Sequence, residues 1–267
     1  MMRVVLTEIT RLHGGYCCIA GICHEDGLLY RLSNPSVMRT QVISNKWRVG
    51  TELEGTFVRQ GQDGVHIEDS RWQASQTGMV AESYHLKFLF EHSVKQSLES
   101  SLGITGRGTP VSDIRPQGCS IVTVRPISFD IRIRETRPEW NNQPSIRATF
   151  KLDNQLSCVD TSNIPVNDIR FFKADGGIDS EAVQCAQRHV ESYRRGDEEL
   201  FIRVGLTRQY AVPGSDEAPK YWLQVDGLHF FRKIGCEYTR DFTSISFSDA
   251  DTNPMGEIFS DPDDIPF

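Results

Sequence analysis

Arg3-Val-Val-Leu-Thr-Glu-Ile-Thr10 and Tyr16-Cys-Cys-Ile-Ala-Gly-Ile22 are two short stretches rich in apolar and β-branched residues. Leu12-His-Gly-Gly15 lies between them, and its two glycines can adopt the positive φ angles that tight hairpin turns require. The pattern therefore predicts a β-hairpin at the start of the chain. It indicates a strand-rich domain in the first half.

Three further strands are predicted after the hairpin. A glycine turn precedes Leu28–Leu32, and a second glycine turn joins Glu52–Gln60 to Val65–Trp72. A long polar connection, Ser33–Gly50, separates the third strand from the fourth. Five short strands joined by tight turns and one long connection are typical of a small barrel or sandwich.

A helix is predicted after these strands, and Ser83 is a candidate for its N-cap. Apolar residues recur there at intervals of three and four positions: Leu86, Leu89, Phe90, Val94 and Leu98. The stretch Gly103–Pro116 is rich in Gly, Pro, Thr and Ser, which is typical of a connection. We therefore predict a first domain at 1–103 and a linker at 104–118.

The second half shows a similar order of strands and a helix, within a predicted second domain at 119–240. The strand candidates are Ser120–Val124, Ser128–Arg134, Ser145–Leu152, Gln155–Val159, Glu199–Leu206 and Tyr221–Phe231. A helix with Asp179 as its N-cap would present one apolar face, formed by Ala182, Val183, Ala186, Val190 and Tyr193. The predicted fold class is therefore mainly β (a β-rich α+β protein), with two OB-like small barrels that each carry a helix.

Residues 1–240, which we call the body, also resemble the dual OB-containing domain proteins of bacteria. The resemblance rests on Val5-Leu-Thr-Glu-Ile-Thr-Arg11 with Cys18-Ile-Ala-Gly21, and on Ile202-Arg-Val-Gly-Leu-Thr-Arg208 with Leu223-Gln-Val-Asp-Gly-Leu-His229. It covers most of residues 3–232. It implies a nucleic-acid-binding role for the body.

The net charge of −7 is concentrated in one segment. Residues 241–267 contain seven of the 36 acids and none of the 29 Lys and Arg residues, so the rest of the chain is neutral. This segment is rich in Ser, Asp, Asn and Pro, and it cannot bury enough apolar surface to offset the entropy lost on ordering. We predict a disordered acidic tail at 241–267.

The tip of this tail, Asp261-Pro-Asp-Asp-Ile-Pro-Phe267, is the most specific motif in the chain. Phe267 would present an aromatic ring and an α-carboxylate together, Pro266 restricts φ, and Ile265 adds an apolar contact. Asp261, Asp263 and Asp264 would speed the encounter with a basic rim on a partner. A merely solubilising acidic tail is the alternative.

The last five residues of the tip, from Asp263 onward, resemble the C-terminal tip of bacterial single-stranded DNA-binding protein. In that family the tip recruits repair and replication enzymes such as helicases, nucleases and recombination mediators. The resemblance implies that residues Asp261, Asp263, Asp264, Ile265, Pro266 and Phe267 bind such partners. It does not extend to the body, which differs from the short single OB domain of that family.

The candidate nucleic-acid-binding residues are mostly arginines within Arg125–Arg147. Single-strand binding needs cations along the backbone and aromatic faces for the bases. Arg132 and Arg134 alternate with isoleucines, so they should share one strand face. The full candidate set is Arg125, Arg132, Arg134, Arg137, Trp140, Arg147, Arg31 and Trp47. The alternative is that these arginines are only solvated and that Trp47 belongs to the core.

Several function classes lack a signature. The seven cysteines are odd in number and scattered, and Cys17, Cys18, Cys23 and His24 lack the paired spacings of a zinc site. Neither a phosphate loop nor a nucleophile elbow is found. The N-terminus lacks signal-peptide features, and no apolar stretch approaches the ~20 residues of a membrane span. We expect a cytoplasmic protein that is not an enzyme and needs no metal or cofactor.

The leading hypothesis is a protein that binds single-stranded nucleic acid, with DNA favoured over RNA, and delivers repair or replication enzymes to it through its tail. The alternative is an adaptor or tail mimic from a mobile element or defence system. In that case the body would bind a protein or signal molecule, and the tail would compete for partners of the host single-strand binder. The sequence leaves the oligomeric state open.

Overall fold

The computed structural model describes residues 1–61, 64–134, 144–153, 159–211, 217–233 and 237–238. These residues form thirteen strands and four α-helices, so the predicted mainly β class is confirmed. The strands make a closed five-stranded barrel in the first half and a half-barrel in the second. The predicted tail at 241–267 and all but the last residue of the predicted strand Gln155–Val159 lie outside the described residues.

The first barrel is closed because its first strand pairs with a neighbouring strand on each side. Its strands are β1 (Met2–Arg11), β2 (Tyr16–Cys23), β3 (Leu29–Asn34), β4 (Val37–Met38), β5 (Thr51–Arg59) and β6 (Asp69–Val80). The order around the barrel is β1-β5-β6-β3-β2, with β2 returning to β1, and β4 extends the sheet beside β2. Only β3 and β6 are parallel among these pairs. This order is compatible with an OB-like barrel.

The predicted hairpin is confirmed. β1 and β2 pair antiparallel along most of their length, and Gly14 and Gly15 form the turn with φ angles of 68° and 75°. A third glycine, Gly21, is required where the strands approach most closely. A Cβ at this position would lie 2.5 Å from the carbonyl oxygen of Val5, so a larger residue would push β2 away from β1.

The predicted connection Ser33–Gly50 contains β4 and a short helix, α1 (Arg39–Ser44). Trp47 follows this helix and packs in the barrel core, with its ring centroid 6.0 Å from that of Trp72. Val37 and Val42 belong to the same core. The connection therefore supplies part of the apolar interior instead of looping away from it.

A pair of helices follows the first barrel. α2 (Ser83–Ser93) buries Leu86 and Phe90, as the periodicity predicts. The N-cap is Glu82, so Ser83 is the first helical residue and not the cap. Its Oγ accepts a hydrogen bond from the backbone N–H of Tyr238 at 3.2 Å. The helix ends before Val94, and Leu98 begins a separate helix, α3 (Leu98–Leu102).

The second half folds into two small sheets around one core. Its strands are β7 (Gly108–Pro110), β8 (Ile121–Val124), β9 (Pro126–Arg134), β10 (Ser145–Leu152), β11 (Ile164–Pro165), β12 (Glu198–Leu206) and β13 (Lys220–Arg232). One sheet has the order β11-β10-β9 and the other β7-β13-β12-β8. A parallel bridge between Val166 and Val225 links the two. The strand order β9-β10-β11-β13-β12-β8 therefore matches the order β1-β2-β3-β6-β5-β1 of the first barrel. In the second half, the consecutive strands β8 and β9 together take the place of β1.

The predicted helix of the second half is confirmed as α4 (Ser180–Arg195). The Asp179 side chain caps it by accepting hydrogen bonds from the backbone N–H groups of Glu181 and Ala182, both at 3.0 Å. Its apolar face packs against the half-barrel through Ala182, Val183, Ala186 and Val190. Within the described part of the chain, no helix is long and apolar enough to cross a membrane.

The two halves share a buried polar interface. Arg203 on β12 donates from Nε and Nη2 to the two carboxylate oxygens of Glu8 on β1, both at 2.9 Å. Its Nη1 donates to Oγ1 of Thr123 at 2.8 Å. Arg203 is 2% exposed and Glu8 is fully buried. One charged group from each half is therefore removed from water, and each is stabilised by the opposite charge of its partner.

Asp226 on β13 lies near this pair and titrates abnormally. It is fully buried, and burial together with the neighbouring Glu8 carboxylate raises its pKa to about 7. The groups that partly offset this effect are the guanidinium groups of Arg31 and Arg203 and a hydrogen bond from Nε2 of Gln224 at 2.7 Å. The folded protein therefore keeps a proton on this carboxyl group between about pH 4 and pH 7, where the unfolded chain has lost it.

Replacing Asp226 with Asn should make stability less dependent on pH. The wild-type contribution of this group falls as pH rises from about 4 to about 7, because the unfolded chain binds fewer protons there. We expect D226N to be more stable than wild type at about pH 8, by an amount on the order of a few kcal/mol, and similar to it near pH 4. Urea unfolding at both pH values measures this. The exposed Asp153 supplies a control, D153N, and equal wild-type and D226N pH profiles would contradict the assignment.

Candidate nucleic-acid interface

Three arginines share the outer side of the β9–β10 pair. Arg132 and Arg134 alternate with Ile131 and Ile133, and Ile131 is 1% exposed, so the predicted common face is confirmed. On β10, Arg147 lies directly opposite Arg132 in the antiparallel register. Side chains that face each other in this way have Cβ atoms about 5 Å apart. Three guanidinium groups are therefore held close together by the sheet.

The described residues provide little neutralisation for this cluster. Burial and the charges of Arg134 and Arg107 lower the pKa of Arg147 to about 10. The one described hydrogen bond of its side chain is from Nε to Oγ of Ser145, at 3.1 Å. Among the described residues, no carboxylate forms an ion pair with Arg132, Arg134 or Arg147. The arrangement leaves several positive charges available to an anionic ligand.

Arg107 extends the cluster and was not predicted as a site residue. Its Nη1 donates to the carbonyl oxygen of Ser162 at 3.3 Å. Its positive charge contributes to lowering the pKa of Arg147. It immediately precedes β7, which pairs with β13. The predicted linker therefore contributes a strand to the second half, and only this pairing brings Arg107 near β10. We call Arg107, Arg132, Arg134 and Arg147 the arginine face.

Arg125 lies apart from the arginine face, between β8 and β9. Its guanidinium group pairs with Glu199 and lies 5.7 Å from the ring centroid of Phe201. It remains half exposed. Its charge is therefore partly neutralised, in contrast to the three strand arginines.

Two predicted binding residues must be withdrawn because they are buried. Arg31 is 6% exposed and contacts Glu68 of its own half and Ser120 of the second half. Trp47 is 7% exposed and belongs to the first-barrel core. Neither side chain can reach a nucleic acid in this structure. The predicted Arg137 and Trp140, and the tail residues from Asp261 to Phe267, lie outside the described residues.

The two halves use equivalent faces differently. In OB folds the face of the second and third strands, with adjacent loops, binds oligonucleotides. In the first barrel this face comprises β2 and β3, and Arg31 from β3 is buried there against the second half. In the second half the equivalent face includes β10, where Arg147 stays partly exposed. On this face the arginine of the first barrel is covered, whereas the arginine of the second half is partly exposed.

Comparison with known proteins identifies no relative. No protein-family model matches the chain, and no curated protein or solved structure matches it. A functional proposal therefore depends on the fold and on the chemistry of the arginine face.

Proposed function

We propose that this protein binds single-stranded nucleic acid, most readily single-stranded DNA, on the arginine face of its second half. The observation that carries the proposal is the group of three strand arginines, Arg132, Arg134 and Arg147, that form no ion pair with a carboxylate among the described residues, on an OB-like sheet face. Phosphate groups would supply the missing negative charge, and guanidinium groups bind them in a bidentate manner. Neutrality of the whole body is no obstacle, because phosphate binding depends on the local field.

Fluorescence anisotropy with a labelled oligothymidylate of about 20 nucleotides tests the proposal, since one OB fold covers about 4–16 nucleotides. We expect binding at low salt that weakens as salt is added. A duplex and an RNA strand of the same length show whether the site prefers single strands and deoxyribose. Absence of binding at low salt would refute the proposal.

An adaptor role is the second candidate, and the neutrality of the body favours it. Outside the acidic segment, acids and bases are equal in number, whereas proteins that depend on non-specific phosphate contacts usually carry a basic excess. In that role the arginine face would bind an acidic protein surface or an anionic signal molecule. Charge reversal at Arg132 and Arg134 would then leave any oligonucleotide binding unchanged.

The proposal also gives the segment Asp261–Phe267 a role in recruiting repair and replication enzymes. Replacing Phe267 with Ala removes the aromatic anchor, and we expect recovery of a purified helicase that binds single-stranded-DNA-binding-protein tips to fall about tenfold or more in a pull-down. Phe259, which lies in the same acidic segment, provides the matched control F259A. Equal recovery by wild type, F267A and F259A would contradict the role of Phe267.

A further inference from the structure

A row of aromatic side chains lies on the outer face of α2. Tyr84, Phe88 and His92 follow one another at intervals of four residues, which places them on the same side of the helix. Tyr84 is 65% exposed and Phe88 is 53% exposed, while the opposite face of the helix buries Leu86 and Phe90. The row therefore contributes little to the core.

Two rings of the row, Phe88 and His92, are held against each other. The ring centroids of Phe88 and His92 lie 3.8 Å apart, and Nδ1 of His92 lies 2.8 Å from the carbonyl oxygen of Phe88. A flat ring whose orientation is already fixed loses little conformational entropy when a base stacks on it. These are the properties of a base-stacking platform.

An open groove of about 630 Å³ is lined by residues of α2 and β9. They include Glu91, which precedes His92 in α2, and Pro126 and Ile127 of β9. Two cations, Lys95 and Arg125, line it. Ile127 is 60% exposed, so the floor offers apolar contact as well as charge.

A second groove, of about 410 Å³, continues from the first along β9. The two grooves share Ile127. The second reaches Asp130 and Thr149, which lie opposite each other in the sheet and two residues from Arg132 and Arg147, respectively. The two grooves therefore meet at Ile127, with the aromatic row next to Glu91 at one end and the arginine face next to Asp130 and Thr149 at the other.

We infer that a single strand bound to the arginine face continues along both grooves and stacks its bases on Tyr84, Phe88 and His92. The inference rests on the proposed function and extends it to a second subsite with a different chemistry. The grooves are lined by three cations, Lys95, Arg125 and Arg194, and by three acids, Glu91, Asp130 and Asp153, so their charges balance. The distal subsite therefore contributes stacking more than phosphate attraction, and its contribution changes little with salt.

The path sets the length of strand that can use both subsites. From Arg134 to Ile127 the strand β9 spans seven residues, or about 23 Å at ~3.3 Å per residue. From Tyr84 to His92 the helix rises about 12 Å at ~1.5 Å per residue. A stacked strand with ~3.4 Å per nucleotide needs about ten nucleotides to cover these two segments alone, and more to cross the first groove between Ile127 and α2. Strands of about six nucleotides should reach one subsite only.

The test compares oligothymidylates of about 6 and about 20 nucleotides, each labelled for anisotropy, on wild type and on variants of Phe88. The variant F88L keeps an apolar side chain but has no flat ring, and we expect it to lose about tenfold in affinity for the long strand and none for the short one. The variant F88W restores a stacking surface and should bind the long strand at least as well as wild type. Tyr16, an aromatic residue of the first barrel that is 43% exposed, supplies the control Y16L.

The outcomes separate this inference from the proposed function. If both strands bind wild type but F88L matches wild type on the long strand, the stacking subsite is refuted and the arginine face stands. The stacking subsite is also refuted if F88L weakens the binding of both strands equally, because the substitution then does not act at a subsite that only the long strand reaches. If wild type binds neither strand, the proposed function fails and the stacking subsite fails with it. Because Phe88 is exposed, equal melting temperatures of the variants confirm that the fold is intact.

Discussion

The double variant R132E/R134E should bind a single strand of about 20 nucleotides about 100-fold more weakly than wild type at low salt. Two phosphate contacts are lost, and two negative charges are placed beside Arg147, directly on the path of the backbone. Arg132 is exposed and Arg134 partly so, so the melting temperature should change little. Anisotropy and thermal unfolding of the same samples measure both effects.

A matched control is available on the first barrel. Arg48 and Arg71 are exposed there and line neither groove, and R48E/R71E makes the same change in net charge outside the arginine face. This control should retain affinity within a few fold, because screened charges at a distance contribute little. If both double variants weaken binding equally, net charge and not the arginine face determines affinity.

The variant R203M should cost about 3–5 kcal/mol of the free energy of unfolding, the largest stability effect that we predict. Methionine fills much of the volume of Arg203, but Glu8 is then left charged and buried without its bidentate partner. Thr123 also loses a hydrogen bond. Urea unfolding monitored by circular dichroism measures the loss.

Removing the second charge should reverse most of this loss. In the double variant R203M/E8L both charges are absent, and replacing a whole buried pair by apolar residues is often close to neutral. The control R232M breaks an exposed pair with Glu237 and should cost less than about 1 kcal/mol. Equal costs for R203M and R232M would show that the interface between the two halves does not depend on this ion pair.

The features that the sequence predicted correctly are those encoded by local patterns. The glycines between β1 and β2 predicted the hairpin, because a tight turn needs positive φ angles. The Asp179 cap and the spacing of apolar residues predicted α4. Alternation of Arg and Ile in β9 predicted that Arg132 and Arg134 share one face.

The features that were missed depend on contacts between distant segments. Arg31 has the sequence context of an exposed strand arginine, but Ser120, 89 positions away, covers it. Arg107 lies in a segment with the composition of a linker, and only the pairing of β7 with β13 brings it beside Arg147. Neither composition nor periodicity contains this information, because both describe neighbours along the chain and not across the fold.

The salt dependence of binding tests the central claim most directly. The measurement is the anisotropy-derived affinity of the full chain for an oligothymidylate of about 20 nucleotides, between about 50 and 200 mM salt. Four arginines on phosphates predict a slope of about −3 for log affinity against log salt, at about −0.7 per contact on a single strand. A slope near zero, or no binding even at the lowest salt, would contradict the assignment of the arginine face to single-stranded nucleic acid.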